Sequence, residues 1–384
     1  MIESIIELKL NNIKSIINAV RFSDQMSRKV LSNILGLSFA TVSNICNSLV
    51  EHGILLEDIS NGEKTVGRST KYLSFNKNRY NIVGISLEET GTVRFCLSNL
   101  KNEIISQQKM SYSANTNIER FVDEIAKMYF NFIKNLKINE DVIIGIGMAI
   151  PAIFNQLNEN IVASEIPLLE DQPLKRFFES RFRKKVFIDN DANLCVVSIN
   201  NMLESENIIY IFINEGLGIG TLQNGKVLRG ARGFASEICH MPFGVLDKRC
   251  WLCGSNDCLQ TDISVSGFVK KYSLAKGVDA KWDEFIDALR RNDEAALVVA
   301  KENAHILGKA ISSIVNLLDS ERIIIGGIPQ ELFNELESYV NNEVNTRKIV
   351  KTMPDFRIEF DDASYENIIC GATEAVFNNW SPQI

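Results

Sequence analysis

Four residues whose side chains bind zinc well lie close together in the second half of the chain. His240 is followed by Cys250, Cys253 and Cys258, while the whole sequence holds only 3 histidines and 8 cysteines. Composition alone is therefore a poor explanation of the cluster. Three thiolates and one imidazole complete the tetrahedral donor set of a closed, structural zinc site. We expect structural zinc here, with the neighbouring thiol of Cys239 as a competing ligand.

The same loop also has the groups to hold a small polar ligand. A metal-bound imidazole usually donates its other ring N–H to a fixed acceptor, and a ligand hydroxyl can be that acceptor. Glu237 lies just before His240 and can reach the same place. The pattern predicts a polar pocket that zinc orients without doing chemistry. The alternative is a zinc knuckle that only fastens a long loop.

Composition indicates a soluble globular protein of two or three domains. The chain has 384 residues, 45% of them hydrophobic, which is enough for sizeable cores. No apolar run is long enough to span a membrane and the N-terminus does not resemble a signal peptide, so we expect a cytoplasmic protein with no membrane partner. Cysteines outside the cluster are scattered singly, as in a reducing compartment, at Cys46, Cys96, Cys195 and Cys370.

The charge is distributed unevenly along the chain. Net charge is −7, yet residues 1–80 carry ten Lys and Arg against seven Asp and Glu. A polyanionic partner therefore belongs to the N-terminal part.

That N-terminal part has the pattern of a helix-turn-helix. Helical spacing of apolar residues predicts helices over 7–20, 27–35 and 39–52, with Gly36 ending the second and Ser38 capping the third. Such a second and third helix form the DNA-binding motif. The outward face of the third helix carries residues suited to base edges and thymine methyl groups: Ala40, Thr41, Asn44 and Asn47.

Two strands after these helices predict a wing. They cover 54–59 and 71–75, on either side of a turn at 60–63. Lys64, Arg68 and Lys71 are the expected phosphate contacts. A three-helix dimerisation bundle is the alternative, but the local charge favours DNA.

The remainder of the chain predicts a duplicated α/β fold. Strands over 81–87, 92–97 and 103–110 precede a helix over 118–136 and a buried strand over 141–150. A second cycle of strands, turns and helices begins at residue 207 and reaches a strand over 322–325. Two such cycles favour two lobes with a ligand cleft between them.

At this point the residues resemble a known family, the ROK sugar kinases and sugar-responsive repressors. The motifs that carry the resemblance are residues 233–240 with the cysteine cluster, Asn190-Asp191-Ala192-Asn193, Ile325-Gly326-Gly327 and Gly371-Ala372. The resemblance spans nearly the whole chain, including the N-terminal winged helix of the repressor branch.

The resemblance implies the fold class and the domains. It implies an α/β protein in which a winged helix-turn-helix (1–80) precedes a two-lobed, actin-like (ribonuclease H-like) sugar-kinase fold. The first lobe would cover 81–200 together with a C-terminal helix at 365–384, and the second lobe would cover 201–364 with the zinc loop.

The resemblance also implies sugar contacts. Asn190 and Asp191 match the family's sugar-binding pair, whose Asp is the kinase base. Glu237 and His240 match two further contacts, while Gln260 stands where the family has an acid and can still hydrogen-bond a hydroxyl. Two residues rather than one separate Cys250 from Cys253, which departs from the family's zinc spacing. A helix cap is the alternative role for Asn190-Asp191.

One departure argues against kinase activity. ROK kinases carry Asp-x-Gly-Gly-Thr in the first strand of the first lobe, where this chain reads Ser86-Leu87-Glu88-Glu89-Thr90. A like-charge contact at about 4 Å costs about 1 kcal/mol in water and about 4 kcal/mol near a protein surface. Phosphate binding should therefore fail, although a glycine run at 216–220 remains and is equally compatible with a tight turn.

The sequence thus predicts a transcriptional repressor that binds operator DNA as a homodimer or higher oligomer and responds to a small sugar without phosphorylating it. The rivals are an active sugar kinase with a DNA-binding head and a regulator that senses a transport-system protein.

Overall fold

A computed structural model describes residues 2–59, 71–155, 159–203, 205–349 and 355–382. The predicted turn at 60–63 and two predicted phosphate contacts, Lys64 and Arg68, lie outside the described residues. No helix in the described ranges is long and apolar enough to cross a membrane.

The N-terminal head is a winged helix-turn-helix. Ser27 and Ser38 cap its second and third helices, and Gly36 ends the second in a left-handed conformation (φ 64°). The three strands pair antiparallel in the order β1-β3-β2. The elements are α1 (Ile2–Arg21), β1 (Met26–Ser27), α2 (Arg28–Leu35), α3 (Phe39–Glu51), β2 (Leu55–Ile59) and β3 (Lys71–Phe75).

The first lobe contains a five-stranded sheet in the order β10-β7-β4-β5-β6. Residues 141–142, expected as the start of a strand over 141–150, belong to a 3-10 turn (Glu140–Val142) instead. The elements are β4 (Asn81–Glu88), β5 (Thr92–Asn99), β6 (Ile104–Ser111), α4 (Ile118–Leu136), β7 (Ile143–Ile150), β8 (Ala152–Asn155), β9 (Asn160–Ser164), α5 (Leu174–Phe182), β10 (Val186–Asn190) and α6 (Asp191–Leu203).

The second lobe repeats this topology, with strand order β13-β12-β11-β14-β15. Its elements are β11 (Ile208–Ile213), β12 (Leu217–Gln223), β13 (Lys226–Val227), α7 (Leu259–Asp262), α8 (Val265–Lys276), α9 (Trp282–Arg290), α10 (Glu294–Leu318), β14 (Arg322–Gly326), α11 (Gln330–Arg347) and β15 (Ile358–Asp361). In both sheets an antiparallel three-strand meander continues into two parallel strands. This confirms the duplicated, actin-like α/β fold.

The final helix, α12 (Ser364–Asn379), packs on the first-lobe sheet beside α6. The two helices approach closely because Gly371 lacks a side chain: a Cβ there would lie 1.9 Å from the carbonyl oxygen of Leu194. Domain limits at residues 80, 200 and 364 stay a prediction, and α6 runs across the second of them.

Helix α12 also fastens the head to the first lobe. Its Val376 and Phe377 belong to the same buried cluster as the apolar faces of α1 and α3. Arg21 at the end of α1 forms a bidentate ion pair with Glu374, with N–O distances of 2.6 and 2.7 Å, and both side chains are almost fully buried. The head is therefore docked on the body by packing and by a desolvated ion pair.

Candidate functional site

The main cleft lies between the two lobes and encloses empty space of about 880 Å³ counted to its open mouth. A cleft between two lobes is a common position for a small-molecule site. All five predicted sugar contacts line this cleft: Asn190, Asp191, Glu237, His240 and Gln260. Their role as sugar contacts stays a prediction, but the fold brings residues far apart in sequence into one lining.

The junction of β10 and α6 positions the Asn190-Asp191 pair. The Asn190 side chain donates to the carbonyl oxygen of Ala152 (3.2 Å) and accepts from the backbone N–H of Ala192 (2.9 Å). It therefore caps α6 while lining the cleft, so the cap does not compete with the predicted role in sugar binding. Burial, with the nearby charge of Glu89 adding to it, raises the pKa of Asp191 to about 7.

An ion pair that sequence reasoning missed supports this junction. Asp189 accepts from the backbone of Asn190 (2.8 Å) and from the side chain of Asn193 (3.1 Å), and it pairs with Arg229. Arg229 follows β13, so the pair links the second lobe to the strand end that carries Asn190. Asp189 and Arg229 both line the cleft. Asp189 precedes the recognised motif directly, which is the signal that could have found it.

The predicted metal ligands converge on one side of the cleft. One ligand atom each from His240, Cys250, Cys253 and Cys258 lies within 4.8 Å of the others. The Nδ1 atom of His240 is 3.5 Å from the sulfur of Cys250, and the sulfurs of Cys253 and Cys258 are 3.2 Å apart. Three sulfurs and one nitrogen at these separations fit a tetrahedral metal ion. Burial lowers the pKa of His240, which favours the neutral imidazole that a metal requires.

Two neighbouring residues connect this cluster to the cleft. Gln260 donates to the sulfur of Cys250 at 2.8 Å, as suits a thiolate acceptor. The thiol of Cys239 donates instead to Glu237 at 3.5 Å, although Glu237, Cys239 and His240 form a second possible metal-binding group. The four-residue cluster offers the better donor set, since three of its ligands are cysteines.

Carboxylates fill the region that corresponds to a phosphate loop. Glu88 pairs with Arg94 on the adjacent strand β5. Glu89 accepts a hydrogen bond of 2.6 Å from Asn214, which lies in the turn between β11 and β12 of the other lobe. Glu165, which directly follows β9, lies against Gly216 in the same turn. A Cβ atom added to Gly216 would lie 1.9 Å from the Oε1 atom of Glu165.

Burial and mutual repulsion disfavour ionisation in this region. Burial, followed by the charge of Glu89, raises the pKa of Glu165 to about 8. Burial likewise raises the pKa of Glu89, and Glu215 and Glu88 add to the effect. A nucleotide phosphate would bring further negative charge into a region whose burial already disfavours charge on its own carboxyl groups.

The predicted DNA-reading face lies on α3. Ala40, Asn44 and Asn47 are exposed, whereas Thr41 is half-buried with its hydroxyl 2.8 Å from that of Ser38. Two further predicted contacts also have protein partners in the described residues. The Asn47 oxygen accepts from Arg28 at 2.9 Å, and Lys71 pairs with Glu57.

Comparisons with known proteins agree with this geometry. The sequence model of the family described as "ROK family" matches residues 83–371. The xylose repressor of Bacillus spizizenii is 27% identical, with 88% of each chain covered, and the xylose repressor of Caldicellulosiruptor bescii is 25% identical, with 92% of each covered. The crystal structure of a ROK family transcriptional regulator, a homologue of the E. coli MLC protein, superposes with a TM-score of 0.83 over 97% of both chains at 19% identity.

Proposed function

This chain belongs to the ROK family, and from that premise we propose that it is a sugar-responsive transcriptional repressor that binds operator DNA and holds its sugar without phosphorylating it. The recognition helix and the interlobe cleft occur in one chain, and full-length relatives are named as repressors. D-xylose is the first sugar to test, because those relatives are xylose repressors.

The observation that carries the non-enzymatic part is the contact of Glu89 with Asn214. It joins the end of β4 to the β11–β12 turn, the two backbone segments that approach nucleotide phosphates in the kinase pattern. Glu165 closes the same turn from the first lobe. Side chains at these positions hinder the close approach of a phosphate to the backbone N–H groups that such a site needs.

In this proposal Asn190, Asp191, Glu237, His240 and Gln260 bind sugar hydroxyls. Zinc held by His240, Cys250, Cys253 and Cys258 would fix the position of the loop and of His240, and would supply no chemistry of its own. Sugar binding would change the closure of the lobes and so the spacing of two heads in a dimer, which lowers operator affinity. The protein would act in the cytoplasm.

The test is a measurement of operator binding with and without sugars. An operator is first selected from genomic fragments with the purified full-length protein, and its affinity is then measured by fluorescence anisotropy. We expect D-xylose or another neutral sugar to weaken binding at least tenfold, with no sugar-dependent release of ADP from ATP. Sugar-dependent ADP release at an ordinary kinase rate, or no DNA binding at all, would refute the proposal.

A further inference from the structure

The zinc-ligand loop presents an unusual aromatic side chain to the cleft. Trp251 lies between Cys250 and Cys253, where it is one of the two residues that lengthen the spacing. The Trp251 side chain lines the cleft, and 56% of the residue's surface is exposed to solvent. By contrast, the neighbouring residue Cys250 and the lining residue Gln260 are buried. The indole therefore stands at the rim of the cleft.

The first lobe supplies a second apolar surface to the same cleft. Ile153 and Phe154, on strand β8, line it and are half-buried. Leu252, next to Trp251, lines it from the second lobe. Apolar side chains thus come from both lobes, whereas the five predicted sugar contacts come from the β10–α6 junction, the loop around His240 and helix α7. Glu165, Asn214 and Arg229 add further polar lining.

This division matches the chemistry of a sugar with more than one ring. The hydroxyls at the edge of one ring suit the polar groups at Asp191 and His240. The faces of a pyranose carry C–H groups, which lose contact with water when they lie on a flat indole. Trp251 is 56% exposed, so its indole has surface left for a second ring to cover. A role in which Trp251 only shields the cysteine sulfurs would not require it to line the cleft.

We propose that Trp251 and Leu252 from the second lobe, together with Ile153 and Phe154 from the first, form a second sugar subsite, so that the preferred effector is a disaccharide rather than a single sugar. The inference rests on the proposed function, since it takes the polar part of the cleft to be the first sugar subsite. It adds a specificity determinant that comes from the two residues between Cys250 and Cys253.

The experiment compares D-xylose with xylobiose, and D-glucose with cellobiose and maltose, by calorimetry on the full-length protein. We expect at least one disaccharide to bind tenfold or more tightly than the corresponding monosaccharide. Trp251→Ala should remove this advantage while leaving monosaccharide affinity within about twofold, and Trp251→Phe should keep most of it. Tenfold corresponds to about 1.4 kcal/mol.

Fluorescence gives an independent readout, because the chain has only 3 tryptophans. Disaccharide should shift the Trp251 emission to the blue, and the shift should persist in Trp282→Phe, whose indole packs against Phe268 and Phe285. Phe154→Ala lies in the other lobe, away from the cysteines, and should weaken disaccharide binding even if Trp251→Ala disturbs the loop.

The possible outcomes separate the two proposals. If no sugar binds and operator affinity never changes, the proposed function fails. If monosaccharides bind but disaccharides have no advantage, or if neither Trp251→Ala nor Phe154→Ala reduces that advantage, the second subsite is refuted while the proposed function stands.

Discussion

At the scale of single residues, Glu165 shows how the cleft region opposes charge. Its carboxyl is pressed against the Gly216 backbone of the other lobe. Burial holds its pKa at about 8, against an ordinary value of 4.5. Between these values the folded protein retains a proton that the unfolded chain releases, so this group lowers the free energy of unfolding as pH rises from about 4.5 to about 8.

Glu165→Gln should flatten that dependence. The amide is neutral in both states, so the variant should gain stability relative to wild type as pH rises through this window. Urea unfolding at several pH values measures the effect, with the exposed Glu140→Gln as the control for lost charge. Parallel pH profiles for wild type and Glu165→Gln would contradict the prediction.

The cysteines allow a matched pair of substitutions. Cys253→Ser should lose the metal and loosen residues 241–258, because metal binding of about 10 kcal/mol or more is folding free energy for such a loop. Cys239→Ser should keep the metal, since this thiol contacts Glu237. Elemental analysis and limited proteolysis report the two effects. Full metal content in Cys253→Ser, or loss of metal in Cys239→Ser, would mean that the ligand set is wrong.

At the scale of elements, the crossing of α6 and α12 depends on the missing side chain of Gly371. Helix propensity alone predicts that Gly371→Ala gains about 1 kcal/mol. The new Cβ would lie 1.9 Å from the carbonyl oxygen of Leu194, and forced separation of packed elements costs about 1–3 kcal/mol or more. The steric clash should outweigh the gain in helix propensity, so the protein should lose stability. Because α6 begins at Asp191, a displacement of this helix should also lower sugar affinity.

Denaturant unfolding and sugar calorimetry of Gly371→Ala test this expectation. Asn378→Ala, an exposed change on the same helix, serves as the control and should be close to neutral. A more stable Gly371→Ala protein with normal sugar affinity would show that α6 and α12 can separate freely.

Elements with strong local signals were predicted well from the sequence. Helix α4 covers Ile118–Leu136 as expected, because its apolar periodicity is strict and Asn117 caps it. Helix α2 starts after Ser27 and ends at Gly36, and both capping residues can be recognised in the sequence. Residues 141–142 differ from the expectation, because they belong to a 3-10 turn that precedes the buried strand and do not pair in its sheet.

Contacts between segments far apart in the chain could not be predicted from the sequence pattern. Nothing local to Glu89 indicates that Asn214 is its partner. The family motif predicted the Asn190-Asp191 pair, but Arg229, Glu165 and Trp251 reach the cleft only through the arrangement of the lobes. Burial and pairing of such residues are properties of the tertiary fold, which single-sequence periodicity does not encode.

At the scale of the whole molecule, Arg21 and Glu374 connect the DNA-binding head to the C-terminal helix. The guanidinium also donates to the carbonyl oxygen of Leu100 (2.8 Å) and lies 3.8 Å from the centre of the Phe377 ring. Arg21→Met should destabilise the protein by about 3–5 kcal/mol, because it leaves a buried carboxylate unpaired.

Lys14 provides the control, since it also reaches α12, through a solvent-exposed hydrogen bond to the carbonyl oxygen of Asn378 (3.1 Å). Lys14→Met should cost less than about 1 kcal/mol. Arg21→Met with Glu374→Gln should recover part of the loss, because no charge is then left buried. Equal effects of Arg21→Met and Lys14→Met on urea unfolding would rule out a special role for the buried pair.

The Glu89–Asn214 contact has a thermodynamic consequence for the proposed regulator. A body that cannot use ATP never converts its sugar, so it works at equilibrium and reports sugar concentration rather than metabolic flux. Equilibrium imposes reciprocity: the factor by which sugar weakens operator binding is the factor by which operator weakens sugar binding. Each occupied operator would therefore raise the sugar concentration needed for its own release, and the promoter itself would help to set the threshold of induction.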